Sequence, residues 1–147
     1  MDISAELAEL AVRDACQRLV TAFARFVDSG QSERVVQLFT PDATFERRGE
    51  RLQGHAQIRA AQARRSPQVV TRHCCAPSHI ELAGPGHATG VTCFQLYRHA
   101  WPDGEPVGVG PLNPPEVIGE YHDEFRRTAD GWRIHARVAR GIFRRAG

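Results

Sequence analysis

The chain has 147 residues, 41% hydrophobic and 24% charged. That is enough apolar material for a core, and it excludes a disordered tail or a collagen-like chain. Nineteen basic residues nearly balance seventeen acidic ones, and a net charge of +2 gives no strong attraction to nucleic acid or an anionic membrane. Every basic residue is arginine, which excludes a Schiff-base lysine, a phosphate-loop lysine and lysine acid–base chemistry.

In chain order, residues 4–29 are expected to form one helix. Leu7, Leu10, Ala11, Ala15, Leu19, Ala22, Phe23 and Phe26 follow the helical period, Ser4 is a candidate N-cap and Gly30 a stop. A short helix is expected over 33–39, ended by Thr40-Pro41-Asp42. A short strand follows over 43–47, then a turn at Gly49-Glu50, and a third helix over 55–65 closed by Ser66-Pro67.

The second half reads as four long strands, 69–82, 87–100, 116–127 and 132–144, with turns at Gly84-Pro85-Gly86 and Asp130-Gly131. In the last, Trp132, Ile134, Ala136 and Val138 are expected on one face, with Arg133, His135 and Arg137 on the other. Helices followed by antiparallel strands give an α+β fold, a strongly curved sheet wrapped on three N-terminal helices. No linker divides the chain, so residues 1–147 read as one domain. Between the second and third strands, eight of the fifteen residues 101–115 are Gly or Pro. This segment is a lid over a cavity mouth, a loop packed on a neighbouring subunit, or a plain surface insertion.

No stretch approaches the roughly 20 apolar residues of a membrane span. Asp2, Glu6, Glu9, Arg13 and Asp14 leave no signal-peptide core at the N-terminus. The expectation is a soluble, cytoplasmic chain without membrane or nucleic-acid partners. Cys16, Cys74, Cys75 and Cys93 form no C-x-x-C pair and are expected to be free, mostly buried thiols. His73, Cys75 and His79 share one strand parity, but no carboxylate or cysteine recurs at zinc-type spacing, so no metal is expected.

Several strings, in order, resemble the SnoaL-like branch of the nuclear-transport-factor-2-like superfamily. They are Phe23-Ala-Arg-Phe-Val-Asp28-Ser-Gly30, Val35-Val-Gln-Leu-Phe39-Thr-Pro-Asp42-Ala-Thr-Phe45, Gly54-His-Ala-Gln-Ile58, Thr71-Arg-His73, and the run from Gly119 through Tyr121 and Phe125 to Gly131-Trp132-Arg-Ile134. Together they cover about residues 8–145. The resemblance implies a cone-shaped α+β barrel with a pocket opening at one end. It also implies homodimers or homotrimers, and enzymes that mostly need no cofactor. Those enzymes include dehydratases, dehydrochlorinases, ketosteroid isomerases, polyketide cyclases and epoxide hydrolases.

Read as residues alone, Asp28 at the negative end of a helix is a solvated cap residue, or needs a compensating donor. His73 in an apolar-leaning strand is structural or functional. The resemblance matches Asp28 to an acidic position that orients a histidine, and His73 to that histidine. The pair would then remove a proton from a substrate carbon. Arg137 matches a pocket-facing arginine; the alternative is an outward arginine on a basic strand. Tyr121, Phe94 and Leu96 are candidates for the pocket wall. Phe23 stands where many enzymes of the group carry a tyrosine or lysine, so the pocket floor should be more apolar and lacks that donor.

These residues point to a cofactor-independent lyase or isomerase acting on a mainly apolar cyclic molecule. Two alternatives stand beside it. One is a small-ligand-binding module of the same fold. The other is a structural subunit resembling the small subunit of ring-hydroxylating dioxygenases.

Overall fold

The computed structural model describes residues 2–146. Asp2 starts the first helix, α1 (Ile3–Asp28), by accepting a hydrogen bond from the Ser4 backbone N–H, so Asp2 rather than Ser4 is the cap. The helix ends in a two-bond cap. Gly30, at φ +70°, donates to the Val27 carbonyl, and Gln31 donates to that of Phe26. The buried face is Cys16, Leu19, Val20, Phe23, Ala24 and Val27. Leu7 and Leu10, expected on that face, are each 59% exposed, because the first turns of α1 run past the core.

The short helix α2 (Ser32–Val36) stops earlier than expected, and Phe39 begins strand β1 (Phe39–Arg47). Pro41 sits where the β1 register shifts between Phe39 and Thr44, an irregularity that tolerates its missing N–H. Arg48 (φ 49°) and Gly49 (φ 75°) form a two-residue hairpin turn into β2 (Glu50–Gln53), a strand the composition did not reveal. Helix α3 (Gly54–Ala63) follows.

The expected strand over 69–82 is two strands, β3 (Val69–Cys75) and β4 (His79–Leu82), both antiparallel to β5 (His87–Ala100). Pro77 lies in the break, where it has no N–H to give the ladder. Strands β6 (Val117–Thr128) and β7 (Gly131–Arg144) complete the sheet. Its order is β2-β1-β7-β6-β5-β3, with β4 also on β5. The order does not close, and β1 runs parallel to β7, so the curved sheet is open and mixed rather than wholly antiparallel.

The expected alternation along β7 fails at one point. Phe125 pairs with Ile134 while Glu124 pairs with Ala136, leaving His135 as the extra residue of a bulge. The slip turns Arg137 to the same buried side as Ile134. Segment 101–115 has no regular secondary structure. It is anchored where the Trp101 N–H meets the Gln68 carbonyl and the Trp101 ring packs edge-on against His99. Among the described residues, no helix is long and apolar enough to cross a membrane. All four cysteines are free, but Cys74 and Cys93 are exposed rather than buried, because they lie on the outer parity of β3 and β5.

Candidate functional site

Cross-strand register builds the inner wall of the sheet. His73, Leu96 and Val117 form one row across β3, β5 and β6. Cys75, Phe94 and Gly119 form the next. Side chains of one row share a face, so His73 and Leu96 point the same way. Helix α1 crosses this wall, and its last residue, Asp28, reaches the start of β3.

Asp28 and His73 meet there. The Nδ1 of His73 is 2.7 Å from Asp28 Oδ1, and the His73 backbone N–H donates to Oδ2, also at 2.7 Å. The Thr71 hydroxyl donates to Oδ1 at 2.8 Å and accepts from Arg65 Nη2 at 2.7 Å. These donors offset the placement of a carboxylate at the helix C-terminus. Burial pushes the Asp28 carboxyl up, but the hydrogen bonds from His73 and Thr71 outweigh it and hold the group below its ordinary value. An ionised carboxylate only accepts, so Nδ1 carries the proton of the neutral ring. Nε2 then holds the lone pair. His73 lines a cavity of about 420 Å³, and Nε2 makes no hydrogen bond to the described residues.

Phe23, Phe94, Leu96 and Tyr121 also line this cavity. Tyr121 stacks on Phe94, with ring centroids 4.3 Å apart. Phe23 meets Tyr121 edge-on at 5.8 Å, so the floor is a cluster of rings. Burial, only partly opposed by the neighbouring Arg137 charge, raises the Tyr121 phenol far above its ordinary value and keeps it protonated. Gly119 lets Phe94 lie flat on β6: a Cβ there would meet the Phe94 ring at 2.7 Å.

Arg137 is not on the cavity wall. It is 0% exposed and makes a two-point ion pair with Asp123. Its guanidinium lies over the rings of both Tyr121 and Phe23, at 3.9 and 4.4 Å from their centroids. The expectation that it touches substrate is therefore corrected. The β7 bulge turns it inward, and the floor rings cover it. Among the described residues, no cluster of three or more His, Cys, Asp or Glu side chains has the arrangement to hold a metal ion. No residue of segment 101–115 lines the cavity.

A family model for the SnoaL-like domain matches residues 8–138. The chain belongs to the SnoaL-like family. Its fold is that of the nuclear-transport-factor-2-like superfamily. An NTF2-like protein with a cystatin-like fold from Novosphingobium aromaticivorans superposes with a TM-score of 0.79 at 21% identity, over 95% of this chain and 88% of that one. A hexachlorocyclohexane dehydrochlorinase (LinA type 2) gives 0.76 at 17% identity, over 97% and 94%. A scytalone dehydratase-like protein, also from N. aromaticivorans, gives 0.74 at 15% identity, over 92% and 87%. No functionally curated protein matches the sequence.

Within this SnoaL-like chain, sequence reasoning missed three parts of the site. Thr71 shares the parity of His73 two residues on, a signal that was available. Asp123 pairs with Arg137 behind the floor only because of the β6–β7 register, which local sequence does not set. Arg65 and the other arginines at the cavity mouth are scattered along the sequence and gave no signal.

Proposed function

We propose that this SnoaL-like protein is a cofactor-independent lyase or isomerase that removes a proton from the carbon skeleton of a cyclic small molecule. One observation carries the reading: the Asp28–His73 contact at the wall of an open-mouthed, ring-lined cavity that His73 itself lines. Asp28 holds the tautomer and stabilises the imidazolium that forms. Nε2 takes a proton from a carbon next to an activating group. In an elimination, the C–H electron pair becomes a new C=C bond as the β-leaving group departs with its own bonding pair. In an isomerisation, the pair delocalises into a carbonyl and a proton returns at another carbon. Tyr121, Phe94, Leu96 and Phe23 form the surface on which the ring lies. Structural neighbours that include a dehydrochlorinase and a dehydratase-like protein are in keeping with this chemistry.

The test is a panel of cyclic ketones, β-hydroxy ketones and halogenated rings, followed by absorbance and proton NMR with the wild type and His73→Ala. Turnover lost in a folded His73→Ala protein supports the assignment; turnover retained rejects it.

A second reading, a ligand-binding module without chemistry, is favoured by Phe23, which leaves the floor without the donor that many enzymes of the family place there. It expects saturable binding, unchanged by Asp28→Asn, with no product.

A further inference from the structure

The floor and the mouth of the cavity differ in chemistry. The floor is aromatic and aliphatic, whereas six arginines ring the mouth: Arg47 and Arg48 from the β1–β2 hairpin, Arg64 and Arg65 after α3, Arg98 from β5 and Arg144 at the end of β7. Two carboxylates, Glu50 and Glu116, meet these six charges. Glu50 pairs with Arg64 at 2.7 Å. Glu116 lies 3.9 Å from both Arg48 and Arg98, one carboxylate shared at the limit of ion pairing. The Arg65 side chain hydrogen-bonds the neutral Thr71 hydroxyl. Among the described residues, the side chains of Arg47 and Arg144 make no ion pair and no hydrogen bond, and Arg47 Nε is buried without an acceptor.

Arginines at the mouth outnumber the carboxylates that meet them. Burial lowers the pKa of Arg47; Glu50 opposes this, and the charges of Arg48, Arg64 and Arg65 add to the lowering. At Arg65 burial acts the same way, with Asp28 opposing it and Arg98 adding to it. A ligand anion would relieve both the repulsion and the missing acceptor. Guanidinium groups present paired N–H donors that match carboxylate and phosphate oxygens. Deeper in, the floor rings carry no charge, and Asp28 of the dyad would repel an anion.

We propose that the substrate of this site is an amphipathic anion, with a ring-sized apolar body on the Phe23–Phe94–Tyr121 floor and a carboxylate or phosphate group held at the arginine mouth. This rests on reading the cavity as the reaction site. Binding the anion at the mouth orients the ligand, so that the carbon skeleton and not the charged end lies toward His73. Arg65 joins the two parts, since it donates to the Thr71 hydroxyl that donates to Asp28.

Titration calorimetry with three probes of one shape tests it: naphthalene-2-carboxylate, 2-naphthyl phosphate, and the neutral methyl ester of the carboxylate. At least one anion is expected to bind about tenfold or more tightly than the ester, since charge-assisted hydrogen bonds carry that difference. The preference should shrink as salt rises. It should fall in Arg47→Gln and in Arg144→Gln, the second lying on an exposed strand end where folding is least at risk. Whichever anion binds better identifies the charged group. Equal or tighter binding of the ester, no binding of any probe at millimolar concentration, or an unchanged preference in both variants overturns the proposal. His73→Ala separates the two readings. It should keep the anion preference while losing turnover. Loss of turnover without any anion preference leaves the reaction standing and removes the substrate class. Anion preference with turnover intact in His73→Ala does the reverse.

Discussion

Arg137 and Asp123 face each other across β7 and β6, Nε to Oδ1 at 2.7 Å and Nη2 to Oδ2 at 2.8 Å, with neither side chain exposed to solvent. Burial pushes the Arg137 guanidinium pKa down, and Asp123 more than restores it. Two rings cover the guanidinium, so the pair supports the cavity floor from behind rather than meeting a ligand.

Removing one partner leaves the other charge buried and unmatched. Asp123→Ala is expected to lose about 3–5 kcal/mol of stability. Replacing both residues with apolar ones, Asp123→Leu with Arg137→Met, should recover much of it. Urea unfolding followed by circular dichroism measures both. A loss under about 1 kcal/mol for Asp123→Ala would mean that water or a rearranged partner reaches Arg137.

Asp28→Asn keeps the shape of the helix end but replaces a carboxylate with a group that can present a donor to Nδ1. With the dyad acting as proposed, kcat/KM should fall about 10²-fold or more, while the far-ultraviolet spectrum is unchanged. A fall in kcat/KM that appears only as raised KM would place Asp28 in binding instead.

The lowered pKa of Asp28 also fixes a sign. A carboxyl whose folded pKa lies below its unfolded value adds stability above the unfolded pKa, and loses it as pH falls through the folded value. The stability gap between wild type and Asp28→Asn should therefore be full at pH 7 and shrink below about pH 4. Unfolding curves at pH 7, 5, 4 and 3 give the gap directly. A gap that widens on acidification contradicts the placement of the three hydrogen bonds.

The thiols should separate by reactivity. Cys16 is buried, and burial together with the nearby Asp123 charge pushes its pKa up to about 11. Cys75 is half-buried and also raised, burial again being the main cause. Cys74 and Cys93 are exposed. With a chromogenic disulfide at pH 8, Cys74 and Cys93 should react first, Cys75 slowly, and Cys16 only on unfolding. Mass spectrometry after timed alkylation assigns each one.

Gly119→Ala tests the packing of the cavity floor. The added methyl would meet the Arg140 carbonyl and the Phe94 ring. A loss of about 1–3 kcal/mol is expected, as in other overpacked cores, with weaker binding of any ligand that lies on Phe94. Calorimetric melting and ligand titration read the two effects.

Most of the order of elements, though not β2 or the break between β3 and β4, was legible in the sequence because it depends on local chemistry. The long first helix lacks internal Gly and Pro, Gly30 supplies the left-handed turn that ends it, and the even alternation in β5 and β6 marks their buried faces. The pairing of Asp28 with His73 was legible only through family resemblance; spacing alone does not bring positions 28 and 73 together. Tertiary structure decided the rest. A single extra residue at His135 reverses the parity of β7, so Arg137 enters the core, and no local signal separates that register from its neighbour. The parallel contact of β1 with β7 joins segments more than ninety residues apart, as in Phe39 with Ile134. The arginine mouth is the furthest case. Arg47, Arg65, Arg98 and Arg144 read as ordinary solvated residues along the chain. They become one electrostatic feature only because the curved sheet brings the ends of β1, β5 and β7 and the close of α3 to the same rim. Sequence sets which residues favour each element, but charge repulsion and cavity chemistry depend on distances that exist only once the sheet has curved.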